Sequence, residues 1–319
     1  MIRIWRPLFL ALLAFCGVCL LHAWQKGCFT PPPALVAGDG DEGPMRQTPI
    51  LSVLPQSQDV LLPASRGISA AAAVLALSPL QTPEEPEPVL PPGPKLALVI
   101  DDFGHSLAMA RKIAKLGLTA TWAVIPDLPE SRAVADFARA QGQPFLLHLP
   151  MQALVDPVGS PEYKIGIDTT AAKIKTLVNR WQRDYPHAIG VNNHRGSRAT
   201  SDHGTMVRFM KALAGTKWGF LDSRTSGKTI AYKIAKEYHI PVAQNRVFID
   251  GTSELSEMKK QFALALNKAK IHGSVVAICH AREKTLPFLE YAAKEDFRPV
   301  QFVTLGLLWK EQYAKGEIR

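Results

Sequence analysis

The stretch LALVIDDFG, residues 96–104, begins with five apolar residues, 96–100. Two adjacent carboxylates, Asp101 and Asp102, follow them directly. An apolar run of this length beside a proline-rich stretch is typical of a strand buried on both faces of a parallel sheet. The two carboxylates then lie where the strand passes into a loop, which is the usual place for chemistry in α/β proteins. Like charges held side by side are costly unless a cation or a shared proton relieves them. The pair therefore predicts a metal site or a catalytic role.

Downstream of residue 95, short apolar runs alternate with longer amphipathic stretches, which indicates a parallel sheet with crossover helices. The sequence predicts strands at 96–100, 120–125, 145–148, 188–192, 219–222, 247–250, 275–279 and 300–304. It predicts helices at 106–116, 131–141, 170–185, 204–213, 227–239 and 253–270. Such a sheet is either doubly wound or closed into a barrel, and seven or eight units favour a distorted (β/α) barrel of parallel strands.

Polar or titratable residues recur where the predicted strands end, and this recurrence predicts an active site at the top of a barrel. They are Asp101, Asp102, His148, Asn192, Asn193, His194, Asp222, Ser223, Asp250 and His280. Structural alternatives stay open for single members, because a strand-end aspartate such as Asp222 or Asp250 also caps helices and a lone histidine also packs in cores.

The chain begins with Arg3 and Arg6, followed by a largely apolar stretch from Leu8 to Trp24. A basic start and an apolar segment of this length predict that residues 1–28 are a secretory signal peptide or a membrane anchor. In both cases we expect an exported, periplasmic protein that meets the membrane only through this segment.

Residues 29–94 contain 14 of the 25 prolines, with PPP at 31–33 and PPGP at 91–94. A segment of this composition cannot build a packed core, so we predict a disordered, partly polyproline linker. The globular domain is then residues 95–319.

Composition narrows the possible functions. Basic residues give a net charge of +9 but are scattered along the chain instead of forming blocks, so we expect no nucleic-acid partner. Of the four cysteines, Cys16, Cys19 and Cys28 belong to the N-terminal segment and Cys279 stands alone, so neither a disulfide framework nor a zinc knuckle is predicted.

Several ordered motifs from Lys95 to Trp309 resemble the divergent polysaccharide deacetylases, an exported branch of the NodB-type carbohydrate esterases. They are DDFG at 101–104, HLPM at 148–151, NNHRGS at 192–197, FLDSRT at 220–225 and the late His280. The resemblance implies a distorted (β/α) barrel that removes acetyl groups from a sugar polymer with one divalent metal.

From the positions that match the family's motifs, the resemblance implies that Asp101 is the general base and that His280 is the acid that protonates the leaving group. Asp102, His148 and His194 are implied to hold the metal, for which zinc is the expected ion because one carboxylate and two imidazoles leave positions open. Asn193, Arg195, Asp222 and Asp250 are predicted to contact the acetylated glycan.

Two departures from the family pattern keep other functions open. Gln152 stands where this branch usually has a glutamate, and Arg195 brings a positive charge beside the proposed metal. Both favour a barrel that binds envelope glycans without catalysis. A third hypothesis is a glycoside hydrolase that pairs Asp101 or Asp102 with Asp222 or Asp250.

Overall fold

The computed structural model describes residues 92–156, 162–314 and residue 316. The predicted leader, residues 1–28, lies outside the described residues, as does the predicted linker apart from its last three residues, so both stay predictions. Within the described part of the chain, no helix is both long and apolar enough to cross a bilayer.

Parallel strands form one curved sheet, as predicted. In chain order they are β1 (Lys95–Phe103), β2 (Thr121–Val124), β3 (Phe145–Met151), β4 (Gly190–Arg195), β5 (Gly219–Asp222), β6 (Val242–Gln244), β7 (Val247–Phe248), β8 (Ser274–His280) and β9 (Gln301–Val303). Their order in the sheet is β6-β5-β4-β3-β2-β1-β8-β7, and β9 pairs with the first residues of β1. The sheet is a half-barrel whose two ends, β6 and β7, are adjacent in the chain. This confirms the predicted α/β fold of the NodB type.

Helices follow most strands; all but the last of them pack on the outer face of the sheet, and the last packs against its inner face. They are α1 (Leu107–Ala114), α2 (Ser131–Ala140), α3 (Ala171–Asp184), α4 (His203–Leu213), α5 (Ala231–Glu237), α6 (Leu255–His272), α7 (Leu286–Lys294) and α8 (Leu305–Ala314). Ser106, Thr170 and Asp202 cap α1, α3 and α4 by accepting a hydrogen bond from a backbone N–H in the first turn. The strand prediction missed β6, and the helix prediction missed α7 and α8.

The inner face of the half-barrel is apolar at its lower end, where the strands begin, and polar at its upper end, where they finish. Its lower layer is apolar and includes Ala97, Val99 and Leu146 from the strands. Trp309 of α8 plugs this end, and it does so because β4 and β5 begin with glycines: a Cβ at Gly190 or Gly219 would lie 2.8 or 2.6 Å from its ring. The apolar plug leaves the upper layer, at the carboxyl ends of the strands, as the place for polar side chains.

The described chain begins at the lower end of the half-barrel. Gln301, at the start of β9, donates its side-chain N–H to the Pro92 carbonyl and its backbone N–H to the Pro94 carbonyl. The upstream segment therefore joins the domain at the end opposite to the carboxyl ends of the strands.

Candidate metal centre and catalytic site

Alternation along four strands brings the predicted histidines and one aspartate to the same end of the half-barrel. Successive side chains of a strand point to opposite faces, so Asp101 follows Ala97 and Val99 onto the inner face, and His148 follows Leu146. His280 stands beside Asp101 in the β1–β8 register. The predicted site residues of β1, β3, β4 and β8 thus meet at the carboxyl ends of the strands.

Asp102 also reaches this site, although simple alternation would turn it outward. Its backbone is left-handed, with φ of 63°, and the register between β1 and β2 shifts between Ile100 and Phe103. Aspartate is among the few residue types other than glycine that adopt this conformation readily. The local irregularity turns two adjacent carboxylates toward the same group of histidines.

Asp102, His148 and His194 form a group of potential metal ligands whose donor atoms all lie within 4.8 Å of one another. Oδ1 of Asp102 is 3.4 Å from Nε2 of His148 and 3.2 Å from Nδ1 of His194. These separations are close to the roughly 3.3 Å edge of a tetrahedron built on metal bonds of about 2.0 Å. The three predicted metal ligands therefore converge.

The chemistry of this group fits a divalent cation. Oδ1 of Asp102 is buried and has no hydrogen-bond partner in the described part of the chain, which a native protein rarely tolerates. Burial opposes the charged form of Asp102, yet the adjacent imidazoles of His148 and His194 hold its pKa well below the usual value. For His194, burial and the neighbouring positive charges lower the pKa, which favours the neutral ring that a metal needs.

Asn192 connects a metal ligand to the predicted base. The Asp101 carboxylate can only accept, so Nδ2 of Asn192 donates to Asp101 Oδ1 at 2.9 Å, and Oδ1 of Asn192 accepts from Nδ1 of His148 at 2.8 Å. With a proton on Nδ1, this bond leaves Nε2 facing Asp102. Burial lowers the pKa of His148, but the carboxylates of Asp101 and Asp102 raise it overall. Asn192 received no role from the sequence. Its position two residues before His194 on one strand face was the available signal.

Asp101 has the environment expected of a general base. Its carboxyl is 1% exposed, and burial raises its pKa, while His148 and His280 pull in the opposite direction. Oδ2 lies 3.6 Å from Nε2 of His148, so this oxygen faces the position that a metal would take. A carboxylate with a raised pKa next to a cation site can accept a proton from water.

Asp250 accepts hydrogen bonds from both the backbone and the ring of His280 and so orients that ring. Oδ1 of Asp250 lies 2.8 Å from Nδ1 of His280, and Oδ2 accepts from the His280 backbone N–H and from Oγ1 of Thr285. Burial disfavours the charged imidazole, but the hydrogen bond that its ring donates to Asp250 and the charge of Asp101 raise the pKa of His280 overall. Nε2 of His280 is then free to carry a transferable proton, and Asp250 orients the ring.

Asn193 and Asp222 are buried and use their polar atoms inside the protein. Asn193 donates to the Arg195 carbonyl at 2.6 Å and accepts from the Ser223 N–H at 2.9 Å. Asp222 accepts from the Arg224 N–H and from Oγ1 of Thr229. These bonds shape the loops after β4 and β5. Substrate contact by Asn193 and Asp222, and by Asp250, stays a prediction.

The two residues that depart from the family pattern also have partners. Oε1 of Gln152 accepts from the Ile167 N–H at 3.0 Å, so its amide holds the loop after β3. Arg195 adopts a left-handed backbone and directs Nη1 toward Asp156, 3.2 Å away. Its guanidinium thus has an acidic partner of its own, and a contact with substrate stays a prediction.

Arg282 was not singled out from the sequence, yet it contacts the centre. Its Nη2 donates to Oδ2 of Asp102 at 2.6 Å across a sequence separation of 180 residues. The signal was its position two residues after His280, where a strand-end loop can reach β1.

Comparisons with known proteins place the chain in a family. The model of the family described as divergent polysaccharide deacetylase matches residues 98–309. An uncharacterised protein of Haemophilus influenzae is 37% identical over 218 residues, covering 68% of this chain and 78% of that protein. The uncharacterised Escherichia coli protein YibQ is 33% identical over 231 residues, covering 72% and 69%.

Among solved structures, the uncharacterised protein ATU2773 of Agrobacterium tumefaciens is similar with a TM-score of 0.60 at 20% identity. That similarity covers 68% of this chain and 89% of that protein, and it supports the fold. The family match spans the strands that carry Asp101, Asp102, His148, His194 and His280, so the chain that gathers these residues at one end of a half-barrel belongs to the divergent polysaccharide deacetylase family.

Proposed function

We propose that this protein is a metal-dependent hydrolase that removes acetyl groups from a polysaccharide of the bacterial cell envelope. The observation that carries the proposal is the convergence of Asp102, His148 and His194 beside a buried carboxylate, Asp101, and an Asp250-held imidazole, His280. Family membership supports the substrate class, an acetylated glycan.

Each of these residues has a task in the proposed reaction. A divalent metal, with zinc as the expected ion, would polarise the acetyl carbonyl and make a water acidic enough to attack. Asp101 takes the proton of that water. His280, whose pKa the Asp250 carboxylate raises against the effect of burial, donates a proton to the departing amine or alkoxide of the sugar.

Internal hydrogen bonds weigh against the glycoside hydrolase hypothesis. That chemistry needs a second carboxyl facing the substrate, but both oxygens of Asp222 and both oxygens of Asp250 are engaged within the protein. Asp101 and Asp102 are adjacent, and the histidine-rich surroundings suit a metal better than a sugar cation.

Export to the periplasm is part of the proposal. It rests on the basic and apolar start of the chain and on the proline-rich segment that follows, not on the described residues.

The test is acetate release by purified full-length protein from acetylated chitooligosaccharides and from peptidoglycan. We expect one metal ion per chain, activity that chelation abolishes and zinc restores, and a loss of at least about 100-fold in Asp101→Asn with the metal retained. Asp136→Asn, an exposed aspartate of α2, is the matched control and should behave like the native protein. Glycan binding without acetate release at any metal would instead select the non-catalytic glycan-binding hypothesis.

A further inference from the structure

The two carboxylate oxygens of Asp102 have different partners. Oδ1 faces the imidazoles of His148 and His194, at 3.4 and 3.2 Å. Oδ2 accepts a charge-assisted hydrogen bond from Nη2 of Arg282 at 2.6 Å. A carboxylate can offer a metal one oxygen or both, and here a guanidinium already occupies the second.

Arg282 is held in place by the turn that follows β8. Its backbone N–H donates to the His280 carbonyl at 2.9 Å, and its own carbonyl accepts from the Thr285 N–H at 2.9 Å. Thr285 is buried and donates Oγ1 to Asp250 at 2.8 Å. The same turn therefore fixes both His280 and Arg282 relative to β1.

The exposure of the pair argues against a role in folding. The Arg282 side chain is 56% exposed, whereas that of Asp102 is 12% exposed. Ion pairs with one partner in solvent contribute little to stability. The contact is short, spans 180 residues of sequence and ends on a metal-ligand candidate, so its effect is expected at the metal centre.

We propose that Arg282 is a positioning residue that keeps Asp102 a one-oxygen ligand and so leaves a coordination position for the substrate. This inference rests on the proposed metal-dependent function. A catalytic zinc site needs an open position, and Oδ2 of Asp102 belongs to a carboxylate that already faces both imidazoles through Oδ1. The guanidinium competes with the cation for that oxygen.

The test uses Co²⁺, whose visible absorption reports coordination number, added to full-length protein stripped of metal. We compare the native protein with Arg282→Met and with Arg282→Lys, which keeps a positive donor. Arg224→Met is the control, because Arg224 also follows a strand end but donates to Gln244 at 2.8 Å. Melting curves of the metal-free proteins check that each variant folds.

We expect the Co²⁺ absorption of Arg282→Met to lose intensity, as it does when a tetrahedral ion gains a ligand, and kcat to fall about 10- to 100-fold. Arg282→Lys should recover part of both, and Arg224→Met should keep the native spectrum. A native spectrum for Arg282→Met overturns the inference, including the case in which only KM rises because Arg282 binds substrate alone. Failure of the native protein to bind Co²⁺ or Zn²⁺ would refute the metal site itself, which is a different result.

Discussion

The lower and upper halves of the half-barrel are built from the same strands but have opposite interiors. Below, Ala97, Val99 and Leu146 pack with Trp309 of α8 into a closed apolar layer. Above, the next inward positions are Asp101 and His148, both buried and both polar. The difference shows that one continuous alternation lines the interior with apolar side chains at one end and with candidate catalytic and metal-binding side chains at the other. Substitutions at the two ends should therefore separate stability from activity.

The largest effect is expected at the upper end, in Asp102→Asn. Asparagine also adopts the left-handed backbone of residue 102, so the fold should persist, but a neutral amide is a poor partner for a dication. We expect metal content after dialysis to fall toward zero and acetate release to fall to background, with an unchanged circular dichroism spectrum.

The matched control for that variant is Asp127→Asn. Asp127 also has a left-handed backbone, with φ of 68°, and its carboxylate pairs with Arg180 at 2.6 Å. Its variant should retain metal and activity. Full metal content in Asp102→Asn would contradict the prediction that the upper end binds the metal through Asp102.

At the lower end, Trp309→Ala should remove the plug. Loss of a buried tryptophan costs about 3–5 kcal/mol of unfolding free energy, measured by denaturant titration. The kcat of the folded fraction should stay close to native. Tyr313→Ala on the same helix is the control, since Tyr313 is half exposed and should change stability little. A Trp309→Ala protein with native stability but a reduced kcat would contradict the assignment of stability to the lower end and activity to the upper end.

The smallest effect is a shift of the pH profile in Asp250→Asn. His280 must be protonated to donate, so activity should fall as pH rises through its pKa. Asp250, with Asp101 and Asp102 behind it, raises that pKa against the effect of burial. Removing the Asp250 charge lowers the pKa, so the alkaline limb of kcat/KM should move to lower pH. Asp296→Asn, at an exposed position, should leave the limb in place.

Much of this fold follows from local sequence pattern. The run 96–100 and the alternation after it predicted a parallel α/β barrel, because strand and helix periods are local properties; the structure has the parallel strands in an open half-barrel. β6 escaped prediction because three residues carry almost no periodicity. The plugging role of α8 depends on Gly190 and Gly219, which lie about one hundred residues upstream and reveal no partner in their own surroundings.

The sequence predicted which residues could bind a metal, but not which residues hydrogen-bond to them and hold them in place. Resemblance gave Asp102, His148 and His194, which converge in the structure. The left-handed turn at Asp102 could not be read from the sequence, because the fold as a whole imposes it. Asn192 and Arg282 act through contacts 91 and 180 residues distant in sequence. Only the folded chain shows them.

The chain joins the domain at its lower end, through the bonds of Gln301 to Pro92 and Pro94. If residues 1–28 anchor the chain, as the sequence predicts, attachment at the lower end leaves the carboxyl ends of the strands open to a glycan. A polyproline-like segment of the length of 29–94 would extend on the order of 200 Å at roughly 3.1 Å per residue. With the linker length that the sequence predicts, the radius within which the candidate site meets glycan would be set by residues 29–94 and not by the folded domain.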